Sequence, residues 1–354
     1  MNSPFLVTGL MSGTSLDGID MALCRFSQTP SGWHYSFIDA VTTAYPESLR
    51  RKLTRALTLS DKALRELDMT LGAFYGRELN DFHSKNRVTP DLISSHGHTV
   101  FHDPSGRMTL QIGNGNVISG LTGITVVNNF RVKDVEHGGQ GAPLVPAGDR
   151  LLFGEYDICL NIGGIANLSY EEKGLRRGFD ICPANMVLNY LSEKRGKKYD
   201  RDGAMAASGK CIQKLLEELN RLEYYRMSPP KSLGREWFER MFIPVLQHSR
   251  YPVEDLMTTC AEHIAHQISR VLVMFGRPSV LITGGGAWNR YLMDRIRNLS
   301  GLELPLPDNT LIGYKESLVF GLLGLLRLRN EINCYASVTG ASRDLSTGNI
   351  HTPE

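Results

Sequence analysis

The chain has 354 residues, 42% hydrophobic and 21% charged, with a formal net charge of +2. That is the make-up of an ordinary folded protein with room for two domains, and its charge gives no general attraction to nucleic acid or anionic membrane. No apolar run reaches the ~18 residues needed to span a bilayer, the start Met1-Asn-Ser-Pro4 lacks the parts of a signal peptide, and the cysteines are scattered without a Cys-x-x-Cys, so a reducing cytoplasm is expected.

In chain order, the apolar run Phe5-Leu-Val7 enters Gly9-Leu-Met-Ser12-Gly13-Thr14-Ser15-Leu16-Asp17-Gly18-Ile19-Asp20. A roughly alternating run, Ile19 to Phe26, leaves it. This predicts a β-hairpin whose turn is built of small residues, hydroxyls and a carboxylate, within a strand meander over 5–43. Residues 46–86 read as helix, with Leu49, Leu53, Leu57, Leu64, Leu67 and Leu71 at three- and four-residue steps. Leu92-Ile93 is a short strand ending in Ser94-Ser-His96-Gly-His98-Thr99. Strands at Thr109-Leu-Gln-Ile112 and Thr125-Val-Val-Asn128 follow, then a Gly/Pro-rich connection, Val135 to Pro146, between lobes. The first lobe is expected over 1–132 and the second over 133–354, with the last helix able to pack back on the first. Near Tyr156 a second hairpin begins, with its turn at Asn161-Ile-Gly163-Gly164-Ile-Ala-Asn167. Phe179-Asp180-Ile-Cys-Pro183 leads to a helix over 184–194, and 194–202 is a charged loop. A long helix over 253–275 carries Leu256, Met257, Cys260, Ile264, Ile268, Val271 and Leu272 on one face. The strand Val280–Thr283 runs into Gly284-Gly285-Gly286-Ala287, and a final helix is read from Glu316 to Arg329.

Three glycine turns, each after a strand, form a pattern suited to phosphate, because glycine lets backbone amides approach an anion closely. The Gly-Lys-Ser/Thr ending of a phosphate loop is absent. Two hairpin turns are placed to clamp a triphosphate and the third to take ribose and α-phosphate. This is the logic of the sugar kinase/Hsp70/actin architecture: an α/β, ribonuclease H-like fold of two lobes with a nucleotide cleft between them. Among reactive groups, Asp180 stands at a strand end, where it serves as a general base or merely caps a helix. Arg131 lies beside the glycine-rich turn around Gln140, as a bidentate anion holder or a surface cation. Glu316 meets the ligand or complements a helix N-terminus. His96-Gly-His98 invites a metal reading, but further ligands are not evident, so no metal site is assigned.

These motifs, with Phe130-Arg131, Gly138-Gly-Gln-Gly-Ala-Pro-Leu-Val-Pro146, Gly178-Phe-Asp180, Asp202-Gly-Ala204, Pro229-Pro-Lys-Ser232 and Val338-Thr-Gly-Ala341, resemble the anhydro-N-acetylmuramic acid kinase family from about residue 9 to the C-terminus. The resemblance implies an enzyme of cell-wall recycling. It uses ATP, with Mg²⁺ travelling with the nucleotide, and water to open a 1,6-anhydrosugar and phosphorylate its O6. Asp180 matches the family's general base. The segment Gly13 to Asp20, with Ser12 before it, matches the ATP-binding loop, joined by Asn161, Gly163, Gly164, Gly284, Gly285 and Gly286. His96, Thr99, Arg131, Gln140, Asn185 and Glu316 are expected at the sugar. The chain departs from the family pattern at His98, Asn129, Ile181, Cys182, Ala184 and Tyr314, positions expected to bear on which anhydrosugar is taken. A kinase of another anhydrosugar or aminosugar, and a non-catalytic ATP/sugar sensor, are the competing readings; a homodimer is compatible with either.

Overall fold

The computed structural model describes residues 4–13, 16–104, 106–247 and 250–353. The strands among them are β1 (Phe5–Ser12), β2 (Gly18–Thr29), β3 (Gly32–Ala44), β4 (Leu92–Asp103), β5 (Met108–Ile112), β6 (Val126–Asn128), β7 (Ile158–Ile162), β8 (Ile165–Glu172), β9 (Leu175–Pro183), β10 (Val280–Thr283) and β11 (Asn349–His351). The chain divides into two compact units. One comprises Met1–Gly154, Glu172–Arg176 and Tyr314–Glu354, the other Glu155–Glu171 and Arg177–Gly313. The division thus falls elsewhere than 132/133.

The reason that residues beyond 132 join the first unit is buried contact. A Cβ on Gly148 would collide with Val319, and the Lys315 ammonium meets the buried Asp149 carboxylate at 2.8 Å. An ion pair out of water needs both partners held, so these two segments order together.

The first unit's sheet runs β11-β6-β4-β1-β2-β3, with β5 on β4. β1, β2 and β3 form an antiparallel meander, whereas β4 lies parallel to β1 and β6 parallel to β4. The second unit's sheet runs β10-β7-β8-β9, with β10 parallel to β7 and β8 antiparallel to it. Both sheets therefore follow one plan: three consecutive strands side by side, with a later parallel strand beside the first of them. The α/β class expected from the sequence is what the structure has.

The long helix, Val253–Val273, buries Leu256, Met257, Cys260, Ile264, Ile268 and Leu272 as the periodicity requires, each such side chain contributing ~1.5–3 kcal/mol of transfer free energy. Three boundaries differ from expectation. The helix read over 46–86 is broken into Glu47–Thr54 and Asp61–Asn86, the second capped by the Ser60 hydroxyl on the Ala63 N–H, and Leu57 in the break is 70% exposed. β4 continues through the His96-Gly-His98 stretch to Asp103 because β5 pairs with its second half. The last long helix begins at Asn309, so Glu316 is its eighth residue and no helix N-terminus explains it. Among the described residues no helix is long and apolar enough to cross a membrane.

Candidate active site

In the first unit the β1–β2 turn carries the expected ATP loop. Thr14 and Ser15 lie outside the described residues. Ser12, buried at the end of β1, accepts a hydrogen bond from the Tyr45 hydroxyl at 2.7 Å and sits 3.2 Å from His98 Nδ1. Gly13 accepts from the Leu16 N–H, with Leu16 in the left-handed region at φ 56°. Gly18 faces the Thr43 carbonyl, where no Cβ fits. Ile19 is fully buried and anchors the turn to the core, whereas Asp17 is exposed. Asp20 accepts from Thr42 Oγ1 at 2.6 Å; burial raises its carboxyl above the usual range, the Thr42 bond opposing this and the Asp17 charge adding to it.

Arg131 is held by neutral acceptors. Its Nε donates to His96 Nε2 at 3.0 Å and its Nη1 to the Gly141 carbonyl at 3.1 Å. Because arginine only donates, His96 Nε2 is the acceptor and Nδ1 carries the proton, which points at the Gly97 carbonyl at 2.9 Å. Burial, and secondly the Arg131 charge, push the imidazole well below its ordinary pKa, so it stays neutral. Burial brings Arg131 down to about 10, with Glu316 opposing, so the guanidinium remains charged at neutral pH. Glu316 is raised by its own burial, against the pull of Lys315 and Arg131 and with the push of Asp20. His96, expected at the sugar, also supports Arg131 through this bond. The same geometry occupies the His-x-His pair, since His98 bonds to Ser12, and among the described residues no group of three or more His, Cys, Asp or Glu side chains is gathered to hold a metal ion.

The loop that supplies the Gly141 carbonyl is folded around a residue that no motif pointed out. The fully buried Asp134 carboxylate accepts from the Gly141 N–H at 2.7 Å, from Thr339 Oγ1 at 2.7 Å and from Cys334 Sγ at 3.1 Å. A Cβ on Gly139 would run into that carboxylate. The Gly138-Gly-Gln-Gly-Ala-Pro and Val338-Thr-Gly-Ala motifs are thereby two walls of one buried carboxylate. Gln140 itself is exposed, tied by its N–H to the Thr339 carbonyl at 2.8 Å. Thr99 lies farther along β4, opposite Gln111, whose amide reaches its hydroxyl at 3.5 Å.

In the second unit, strand register brings the other glycines together. β7 and β10 are parallel with Asn161 opposite Thr283, so the Ile162–Gly164 turn and Gly284–Gly286 leave the same end of two neighbouring strands. Carboxyl ends of parallel strands are where α/β sheets bind ligands. Gly284 has φ 85° and is packed on Asn161, and a side chain on Gly286 would collide with Ile162. Gly285 differs: the nearest atom to a Cβ there is Asn185 Nδ2 at 3.6 Å, and Gly164 likewise meets nothing nearer than Met186 at 3.9 Å. Asn185, expected at the sugar, joins these turns, its N–H on the Gly163 carbonyl and its amide on the Ile162 carbonyl, each at 3.1 Å.

Asp180 lies inside β9, with the helix starting at Asn185, so it is no helix cap. Its Oδ2 accepts from the Leu233 N–H at 2.8 Å, its own N–H donates to the Lys231 carbonyl at 3.2 Å, and its carbonyl accepts from the Tyr224 hydroxyl at 2.6 Å. Burial pushes its carboxyl up to about 6, opposed by the Leu233 N–H. One oxygen is pinned and the other is left for a proton. Ile181, Cys182 and Ala184, three of the departures from the family pattern, are buried in the second unit's core. Of the other departures, Asn129 adopts φ 57°, which asparagine tolerates, and the Tyr314 hydroxyl receives the Thr42 hydroxyl at 3.2 Å.

The first unit thus carries a charged arginine on neutral supports, and the second a raised carboxylate and paired glycine turns. The family model of anhydro-N-acetylmuramic acid kinase matches residues 5–353, and the chain belongs to that family. An anhydro-N-acetylmuramic acid kinase of Saccharophagus degradans is 37% identical over 376 residues, covering 99% of this chain and 100% of the relative. One of Mannheimia succiniciproducens is 35% identical over 370 residues, covering 97% of each.

Proposed function

We propose that this protein is an ATP-dependent kinase that hydrolytically opens 1,6-anhydro-N-acetylmuramic acid and phosphorylates O6, giving N-acetylmuramic acid 6-phosphate and ADP, a step of peptidoglycan recycling. The observation that carries the chemistry is Asp180, with one oxygen held by the Leu233 N–H and a carboxyl at about 6. Family membership supplies the substrate. In the reaction, water oxygen bonds to C1 while the C1–O6 bond breaks. O6 takes the γ-phosphoryl group, the bond from γ-phosphorus to the bridging oxygen breaks, and ADP leaves. Asp180 removes the water's proton. O6 needs no base, because it gains its electron pair from C1. A group with a pKa near 6 is mostly ionised at neutral pH yet basic enough to take that proton. Arg131 holds the lactyl carboxylate, which a charged guanidinium does bidentately. In the second unit the Gly163–Gly164 and Gly284–Gly286 turns are the nucleotide contacts of this reading, and Mg²⁺ bound to the nucleotide would assist phosphoryl transfer by neutralising phosphate charge.

Reaction in ¹⁸O water tests the bond changes directly. Label is expected on C1 of the phosphorylated sugar, and the phosphate ester oxygen is expected to be the sugar's own O6, with quenching before the free anomeric centre exchanges. Label in the phosphate, or none at C1, means simple ATP hydrolysis or an ordinary hydroxyl kinase.

Gly285 offers a clean test of the nucleotide turn. Room exists for a Cβ in the folded protein, so Gly285→Ala is expected to leave the melting temperature within about 2 °C, as for a substitution that costs under ~0.5 kcal/mol. It removes the close approach that a phosphate needs. Calorimetry with a non-hydrolysable ATP analogue is expected to show affinity reduced by at least about tenfold, which is ~1.4 kcal/mol. Undiminished affinity would place the phosphates elsewhere.

A further inference from the structure

The stretch from Met227 to Gly234 has no regular secondary structure, yet it makes two of the three hydrogen bonds found at Asp180. β9 is the outer strand of its sheet, so one edge of its backbone has no neighbouring strand. Lys231 and Leu233 cover that edge at a single residue. The Lys231 carbonyl takes the Asp180 N–H as a neighbouring strand would. The next bond departs from strand pairing. The Leu233 N–H goes to the Asp180 side chain instead of its carbonyl, and the carbonyl is satisfied by the Tyr224 hydroxyl. Tyr224 is in turn tied to the stretch by Lys231, whose Nζ donates to the Tyr224 carbonyl at 3.2 Å and sits 4.5 Å from the centre of its ring and 6.0 Å from that of Phe179. The contacts close a ring: Asp180, Leu233, Lys231, Tyr224 and back to Asp180.

We propose that the strap Lys231–Leu233, clamped on Tyr224 through the Lys231 ammonium, is the positioning device for Asp180: it dedicates one carboxylate oxygen to the Leu233 N–H and leaves the other to receive the proton. The proposal rests on Asp180 being the base. A carboxylate with free rotation about its last bond presents either oxygen in many directions, and immobilising it removes an orientational search from each turnover. The groups that act on Asp180 are the Leu233 N–H, the Tyr224 hydroxyl and the Cys182 thiol along the same strand, with the Lys231 ammonium acting on Cys182 and Arg270 on Lys231. Burial pushes the phenol and the thiol upward, so both are neutral at working pH, and lowers Lys231, with Arg270 adding to that. The Leu233 N–H is the group that favours the ionised carboxylate, and losing it moves the carboxyl further up.

The full chain carrying Leu233→Pro, which lacks the N–H, is compared with Leu233→Ala, which keeps it, by following kcat/KM for the anhydrosugar against pH. The alanine variant is expected to keep the acid limb at the wild-type position. The proline variant is expected to move it toward neutral by at least about half a unit and to lower kcat above the limb about tenfold, with nucleotide affinity unchanged. A limb that stays with the wild type in Leu233→Pro overturns the proposal. If the proline variant does not fold, Lys231→Met takes its place: it keeps an apolar stem on the rings but frees the strap, and the same upward movement is expected, an unmoved limb overturning the proposal. Asp180→Asn is run alongside. Turnover surviving in that variant overturns the base assignment itself, whereas a dead Asp180→Asn with an unmoved limb in the strap variants overturns only the strap.

Discussion

Asp180→Asn is expected to abolish turnover while leaving the fold and the affinity for nucleotide nearly intact. The amide oxygen of asparagine still accepts the Leu233 N–H, so the strap loses no partner. What is lost is basicity, and removing a general base costs typically ~10²–10⁴ in rate. The wild type is expected to show an acid limb near about 6, where burial places the Asp180 carboxyl. The sign follows from burial, which raises the pKa: the reactive form is the ionised one, fully present above the limb and lost as pH falls through it. Below the limb the rate falls about tenfold per pH unit. An ADP-release assay with the anhydrosugar, run from acid to neutral pH on both proteins, measures both effects. A variant that keeps more than about a tenth of the wild-type rate would mean that another group takes the proton.

Arg131→Ala is expected to raise the sugar KM about ten- to a hundredfold and to leave the ATP KM nearly unchanged. A hydrogen bond to a charged group is worth ~1.5–3 kcal/mol, and every ~1.4 kcal/mol is tenfold. The effect is directed at the sugar because the hydrogen-bond partners that aim the guanidinium, His96 and the Gly141 carbonyl, are neutral, the Glu316 carboxyl acting on it through its charge. Arg131→Lys is expected to recover only part of the loss. One ammonium cannot donate along the two fixed directions that His96 Nε2 and Gly141 require and still present a fork to the substrate. An unchanged sugar KM with a raised ATP KM would reassign Arg131 to the nucleotide. These two changes separate binding from chemistry, since the first lowers kcat and the second raises one KM.

The glycine turns were legible because each is a short contiguous motif. The hairpin turn at Gly13–Asp20, the turn at Gly163–Gly164 and the run Gly284–Gly286 each follow an apolar strand, and local pattern suffices to read them. The apolar face of the helix Val253–Val273 was equally readable, because a 3.6-residue period needs no knowledge of its partner. Illegible from the sequence were the residues whose role depends on a distant neighbour. Asp134 stands in no motif, yet it organises two of them, 205 positions separating it from Thr339. His96 looks like a ligand until Arg131, 35 positions away, is seen donating to it. The Pro229-Pro-Lys-Ser stretch carries a family resemblance but no chemistry of its own until it meets Asp180.

By itself the sequence determined the α/β class, the strand–turn pattern of both units and the candidate carboxylate, arginine and glycine turns. Those properties are local: alternation, periodicity and glycine in a turn act within a few residues. Tertiary structure decided the rest. The register of β7 against β10 set Gly163 and Gly164 beside Gly285 and drew Asn185 to them. Burial decided protonation, raising Asp180 to about 6 and holding His96 neutral, since a charge removed from water is penalised by its surroundings and not by its own residue type. Packing also redrew the chain's division: a helix that begins at Asn309 carries Glu316 well inside it, and the pair of buried ions, Lys315 and Asp149, ties its later turns to the first unit.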